Sequence, residues 1–153
     1  LDDQQAEIEE VSRWLASRTA NGLVPHEIGI FVRSHAELGR AREASENAGL
    51  PYKVLDDKVE TTSGYLSIST MHLAKGLEFR AVVVMACDDE VIPFLERIET
   101  VADETELEDV YNTERHLLYV ACTRARDYLL LTSGDSASEF LDDLRESGQT
   151  TDQ

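Results

Sequence analysis

The 153-residue sequence lacks the short motifs that would make it a self-sufficient hydrolase. It contains no Gly-x-x-x-x-Gly-Lys-Ser/Thr segment, so it has no P-loop of the kind that cradles nucleotide phosphates. The metalloprotease pattern His-Glu-x-x-His and the nucleophile pattern Gly-x-Ser-x-Gly are also missing. These absences argue against an enzyme that completes its chemistry with this chain alone.

Cysteine is scarce, and long hydrophobic runs are absent. Cys87 and Cys122 lie 35 positions apart in apolar surroundings, without the spacing of a metal site. One disulfide in a secreted domain is an alternative, but two buried, reduced thiols in a cytoplasmic protein are favoured. No run approaches the roughly 18 apolar residues of a membrane span, and the first residues are unlike a signal peptide. We therefore predict no metal centre, no membrane partner and a cytoplasmic location.

Positive charge is also in short supply, with 14 basic residues against 31 acidic ones and a net charge of −17. This argues against a domain that binds nucleic acid through bulk electrostatics, although the distribution of the charge weakens the argument. The acid is clustered, because residues 1–10, 88–109 and 135–153 hold 21 of the acidic residues and two of the basic ones. Such segments are usually solvated surface; a site for a basic partner in 88–109 is the alternative.

Apolar patterning predicts an α/β fold. Hydrophobic residues make up 42% of the chain, enough for one real core. The apolar strands lack the alternation of a half-exposed sheet, which indicates an open, mostly parallel sheet with helices on both faces. The prediction is one domain over residues 1–147 with a frayed tail at 148–153. Predicted helices cover about 3–20, 34–49, 113–125 and a short segment from 138, and predicted strands cover 28–32, 51–55, 65–70, 81–86 and 128–132.

Polar residues follow the predicted strands, and in open parallel sheets binding sites gather at the carboxyl ends of strands. Arg33 follows the first strand directly. The segment Thr70–Glu78 then places a hydroxyl, an imidazole, an ammonium, a glycine and a carboxylate close together, groups that suit phosphate and ribose oxygens. The alternative is a solvated polar turn. Arg124 closes a predicted helix, where it either caps the helix or serves a ligand.

Three segments resemble motifs IV, V and VI of the superfamily 1 DNA helicases of the UvrD/Rep/PcrA type. Ile28–Ala36 (IGIFVRSHA) is similar to motif IV, Ser69–Phe79 (STMHLAKGLEF) to motif V and Glu114–Ala125 to motif VI. The resemblance implies the C-terminal, second RecA-like motor domain of an ATP-dependent, 3′-to-5′ DNA translocase. The chain begins at Leu1 and has no methionine before Met71, so we expect it to be one piece of a larger protein.

The resemblance also implies residue roles. Arg33 and Arg124 match the two catalytic arginines that reach the γ-phosphate across an interdomain cleft, a role that suits a rigid, permanently charged donor. Gly76 and Glu78 match the segment that binds the nucleotide ribose. The implied cofactor is ATP with Mg²⁺, with the metal ligands on the N-terminal RecA-like domain, which would be this chain's partner.

Thr70 and His72 match the start of motif V, which contacts single-stranded DNA in the family. Two features of the sequence depart from the family pattern. His116 stands where relatives often carry arginine, and only 37 positions separate Arg33 from Thr70, where the best-known relatives insert an accessory domain. We expect the isolated domain to be monomeric and inactive. The alternatives are a non-catalytic RecA-like interaction module with an acidic partner-binding segment, and an unrelated open-sheet ligand-binding domain.

Overall fold

A computed structural model describes residues 3–55, 61–85 and 104–132, and in these ranges five strands form one parallel sheet. In chain order the elements are α1 (Asp3–Ala20), β1 (Ile28–Val32), α2 (Leu38–Asn47), β2 (Tyr52–Val54), β3 (Leu66–Thr70), β4 (Phe79–Val84), α3 (Glu104–Cys122) and β5 (Ala125–Leu131). The strand order is β2-β3-β1-β4-β5. This architecture confirms the predicted α/β class.

Alternate residues of the strands pack into two separate cores, one on each face of the sheet. Ile28, Ile30 and Val32 of β1 pack into the core that α1 and α2 cover. Phe31 of the same strand packs into the second core, which Leu118 and the end of α3 cover. All five residues of β1 are buried because both faces of the sheet are covered. This explains the continuous apolar run in the sequence and confirms helices on both faces.

Helix α3 begins at Glu104, about nine residues earlier than predicted and inside the acidic segment. Leu107 and Tyr111 are half-buried and Leu118 is buried, so an apolar stripe at helical spacing extends back through this segment. Exposed acids such as Glu108 lie off the stripe. Acidic side chains near a helix N-terminus are also favourable for the helix dipole. The sequence-based prediction started the helix too late because the many acidic residues made the apolar stripe hard to recognise.

The last two strands begin earlier than predicted. Phe79 pairs with Ala125 at the start of β4 and β5, and the Phe79 N–H donates to the Arg124 carbonyl at 3.0 Å. The polar residues that made these positions look like a turn contact each other across the strands, with Arg80 Nε 2.8 Å from Asp127 Oδ2. Cross-strand pairing thus compensates for the weak strand propensity of this segment.

Ser34 does not cap the second helix as predicted. Its hydroxyl donates to the Glu37 carboxylate at 2.6 Å, and His35–Glu37 form a 3-10 turn before α2 begins at Leu38. Ser34 is the N-cap residue of this turn, where its carbonyl accepts from the Glu37 N–H at 3.1 Å and its hydroxyl bonds to no backbone N–H. The predicted helix from residue 138, the tail at 148–153 and most of the acidic segment lie outside the described residues.

Gly29 should tolerate no side chain, because it lies under a phenylalanine ring in the middle of β1. A Cβ atom at this position would lie 2.6 Å from Phe79 Cδ2, and that ring is already packed edge-on against Phe31. We expect Gly29→Ala to destabilise the domain by about 1–3 kcal/mol through overpacking. The measurement is urea unfolding of residues 1–153.

The matched control for Gly29→Ala is Gly39→Ala. Gly39 lies in α2, and nothing lies within 4 Å of the Cβ that alanine would add. Alanine is the better helix former by about 0.5–1 kcal/mol, so this variant should be slightly more stable than the parent chain. Equal stability of the two alanine variants would contradict the close approach of Phe79 to β1.

Candidate functional site

A pocket of about 420 Å³ lies where β1 and β3 end. The two strands are neighbours, with Val32 paired to Thr70, so the residues that follow them meet at one edge of the sheet. The structure therefore brings Arg33 of motif IV together with Thr70 and His72 of motif V, although 37 positions separate the first two in sequence. The pocket is lined by Arg33, Ser34, His35, Thr70, His72 and Leu73.

Arg33 is held by a buried, bidentate ion pair with Glu114 of α3. Its Nε donates to Oε1 at 2.8 Å and its Nη2 donates to Oε2 at 2.7 Å. Arg33 is 4% exposed and Glu114 is 1% exposed. Two parallel, charge-assisted hydrogen bonds of this length fix both the position and the plane of the guanidinium group. The end of β1 is thus joined to the helix that carries motif VI.

Sequence reasoning gave no role to Glu114, Ser34 or His35 beyond the predicted helix cap at Ser34. One signal for Glu114 was present, since it occupies a position in the apolar stripe of α3, where an unpaired carboxylate would be costly. The signal for Ser34 and His35 is their position directly after Arg33 at a strand end. Their place in the pocket follows from strand order, which no local pattern contains.

Thr70 and His72 differ in exposure because one side of the 3-10 turn Met71–Leu73 packs into the core. Met71 and Ala74 are buried in the core under α3, whereas His72 between them is exposed. Thr70 is 9% exposed at the end of β3. An imidazole at the rim and a hydroxyl deeper in the pocket are groups that donate hydrogen bonds to phosphate oxygens.

Arg124 lies in a second cluster with the other predicted motif V residues. Its Nη1 donates to the Leu77 carbonyl at 3.3 Å, between Gly76 and Glu78, and its Nε donates to the Val120 carbonyl at 3.1 Å. The second contact is the helix-capping role that the sequence left open. The first contact brings Arg124 beside Gly76–Glu78.

Gly76 and Glu78 are both accessible. Gly76 has a φ of +87°, a backbone conformation that favours glycine, and nothing lies within 4 Å of the Cβ position. Glu78 is exposed directly before β4. A ligand approaching this segment would meet open backbone on one side and a carboxylate acceptor on the other.

The two clusters do not meet, which corrects the expectation that all of motif V lies at the carboxyl ends of the strands. The connection after β3 crosses the sheet, so Gly76 and Glu78 precede the amino end of β4. Glu114, which holds Arg33, lies eight residues before Cys122 at the end of α3, about 12 Å along a helix that rises 1.5 Å per residue. Arg33 and Arg124 are therefore tied to different stretches of one helix.

Cys122 is a buried, free thiol, as the sequence predicted. Desolvation by burial raises its pKa to about 12, so it stays protonated at neutral pH and is a poor nucleophile. Cys87 lies outside the described residues. In the described ranges no three His, Cys, Asp or Glu side chains are grouped so as to hold a metal ion, and no helix is long and apolar enough to cross a membrane.

The fold and the two clusters define an α/β domain of the kind found at the C-terminus of DNA helicases. The structure covers 97% of its length in a superposition on the crystal structure of the C-terminal domain of a possible DNA helicase from Lactobacillus plantarum WCFS1, with a TM-score of 0.64, 24% identity and 78% of that chain covered. Residues 53–136 match the UvrD-like helicase C-terminal domain family, and the chain belongs to that family.

Two relatives illustrate how much of a helicase the chain represents. It is 39% identical over 85 residues to ATP-dependent DNA helicase UvrD1 of Mycobacterium leprae, which is 56% of this chain and 10% of that protein. It is 36% identical over 84 residues to ATP-dependent DNA helicase PcrA of Staphylococcus epidermidis, covering 55% of this chain and 11% of that protein. The matched region is thus about a tenth of either relative.

The family match includes motifs V and VI but not motif IV, since Ile28–Ala36 precedes residue 53. The matched range contains Thr70, His72, Gly76 and Glu78, and their roles as motif V residues stay predictions from the resemblance. The placement of Arg33 depends on the structure, which puts it against Thr70 and His72.

Proposed function

We propose that this chain is the C-terminal motor domain of an ATP-dependent DNA helicase that moves 3′-to-5′ along single-stranded DNA. The observation that carries the proposal is the convergence of Arg33, Thr70 and His72 in one pocket, in a domain of the UvrD-like family that has no P-loop. The domain would supply half of a nucleotide site and half of a strand-binding surface. The N-terminal RecA-like domain of the same protein would supply the rest.

Residues near Arg124 fit a nucleotide. The exposed Glu78 carboxylate would accept hydrogen bonds from ribose hydroxyls, and the open backbone at Gly76 would permit close approach. ATP supplies the phosphoryl group that is transferred to water. The ligands of Mg²⁺ are expected on the N-terminal domain, and this chain contributes charge in the form of arginine.

Arg124 is the more available of the two proposed catalytic arginines. Its contacts to the Val120 and Leu77 carbonyls are 3.1 and 3.3 Å long and involve neutral acceptors. A phosphate oxygen is a stronger, charged acceptor, so Arg124 would exchange these contacts for a phosphate at little cost. Arg33, in contrast, would offer a guanidinium group whose position Glu114 has already fixed.

Thr70 and His72 would contact the DNA backbone weakly in the isolated domain. A net charge of −17 opposes phosphate binding, and two side chains offer few contacts. In the intact enzyme the strand would lie across both motor domains, with stacking aromatics and a basic groove on the other domain. We also propose that the protein acts in the cytoplasm and that the isolated domain is monomeric.

The test of this proposal is His72→Ala in the full-length protein. His72 is exposed at the rim of the pocket, whereas Arg33 in the same pocket is buried, so we expect the variant to lower DNA-stimulated ATP hydrolysis about tenfold and basal hydrolysis much less. A loss of one or two backbone contacts corresponds to about this change. Steady-state ATPase assays with and without single-stranded DNA give both rates.

His26→Ala is the matched control, because His26 is an exposed histidine before β1, at the opposite edge of the sheet. It should leave both rates unchanged. Equal loss of basal and DNA-stimulated hydrolysis in His72→Ala would contradict a strand-facing role. A full-length protein without DNA-stimulated ATP hydrolysis would favour the non-catalytic interaction module.

A further inference from the structure

Glu114 is buried in a helix whose other described acids are largely exposed, and both of its carboxylate oxygens accept hydrogen bonds from Arg33. We propose that Glu114 is a positioning residue, which sets the Arg33 guanidinium in the orientation needed to contact a nucleotide phosphate. The inference rests on the proposed function of Arg33. It goes beyond that function by giving a role to Glu114, through which the motif VI segment would orient the arginine of the motif IV segment.

The geometry of the pair favours this role. Glu114 engages the Nε–Nη2 edge of the guanidinium at 2.8 and 2.7 Å, and Nη1 lies on the opposite edge of the same rigid plane. An arginine side chain without such a partner samples many rotamers, and this freedom is lost when it grips a phosphate. With Glu114 in place that ordering has already occurred, so the arginine is pre-organised for the transition state.

Stability alone does not account for a buried ion pair at this place. Apolar side chains of similar volume often stabilise a protein as well as a buried pair does, or better. The pair instead connects the end of β1 to α3, and α3 also ends next to Arg124. One helix therefore sets the positions of both proposed catalytic arginines, so a shift of α3 would move the two together.

The test compares three variants of the full-length protein. Glu114→Gln keeps the size of the side chain but points an amide toward the guanidinium, and we expect it to lower kcat for ATP hydrolysis about 10²-fold with little change in KM, as misplacement by about 1 Å does. The double variant Arg33→Ala/Glu114→Gln removes the arginine without burying a lone charge, and its kcat should be lower still. Glu108→Gln, an exposed glutamate on the same helix, should retain the parent kcat.

Thermal melting of each variant separates positioning from folding. If Glu114 is purely structural, its loss lowers the melting temperature and leaves kcat per folded molecule unchanged. If Glu114 positions Arg33, its loss lowers kcat even at temperatures well below the melting temperature, where the variant is folded. If Glu114→Gln does not fold, Glu114→Asp retains the charge, withdraws the carboxylate by one methylene and should show the same loss of kcat.

The outcomes for Glu114 and for Arg33 are distinguishable. A normal kcat in the folded Glu114 variant, together with a slow double variant, would overturn the positioning role and leave the proposed function intact. A normal kcat in the double variant would show that Arg33 does not act on the nucleotide. That result would contradict both the catalytic role of Arg33 and the positioning role of Glu114.

Discussion

In the full-length protein, Arg124→Ala should lower kcat for ATP hydrolysis by about 10³–10⁵-fold, the range seen when a transition-state arginine is removed from other phosphoryl-transfer enzymes. KM for ATP should change far less, because the guanidinium contact strengthens as charge develops on the transferred phosphoryl group. Arg124 is half-buried and donates to three neutral acceptors, the Val120 and Leu77 carbonyls and the Thr123 hydroxyl, so its removal leaves no buried carboxylate behind. Steady-state kinetics with saturating single-stranded DNA measure both parameters.

Arg126→Ala is the control for Arg124→Ala. Arg126 is two residues further along the chain, exposed, and in β5. It removes the same positive charge from the same region, so it should leave kcat close to that of the parent protein. Similar rates for the two variants would show that the loss of charge, and not the position of Arg124, determines the effect.

Glu114→Leu should be the most destabilising of the substitutions considered for the isolated domain, at about 3–5 kcal/mol. It leaves the Arg33 guanidinium buried, 4% exposed, without the carboxylate that neutralises it. This cost is a large fraction of the 5–15 kcal/mol that typically stabilises a domain. The double variant Arg33→Met/Glu114→Leu removes both charges and should recover most of the loss. Urea unfolding of residues 1–153 measures the three stabilities.

Asp127→Asn provides the comparison for a surface pair. It breaks the contact between Asp127 and Arg80, whose side chains are 40% and 39% exposed, so solvent already screens the interaction. Its effect should be much smaller than that of Glu114→Leu. If the double variant Arg33→Met/Glu114→Leu is as unstable as Glu114→Leu alone, packing around residue 114, and not the loss of the carboxylate beside Arg33, causes the loss of stability.

The strands and helices that could be predicted from sequence are those whose own residues carry the signal. β1 was predicted to the residue because its four apolar side chains and one glycine are bounded by polar neighbours, and α1 because Ile8, Val11 and Leu15 repeat at helical spacing. The start of α3 and the starts of β4 and β5 were placed wrongly. In those segments the charged residues are accommodated by partners or exposed faces that only the folded chain supplies.

The candidate site shows the same division. The resemblance to motifs IV, V and VI identified Arg33, Thr70, His72, Gly76, Glu78 and Arg124 as candidates, and their roles stay predictions. It did not separate them into two groups. That separation follows from the connection after β3, which carries the chain across the sheet to the start of β4.

By itself the sequence determined the α/β class, the two-sided burial of the strands and the absence of a P-loop, because each is a property of local composition or spacing. Only the tertiary structure decided which groups share a pocket and which are apart. Arg33 meets Glu114 across 81 positions, and it meets Thr70 because β1 lies next to β3. Strand order and the rotation of a helix over a sheet depend on the packing of the whole core, so periodicity along the chain does not encode them.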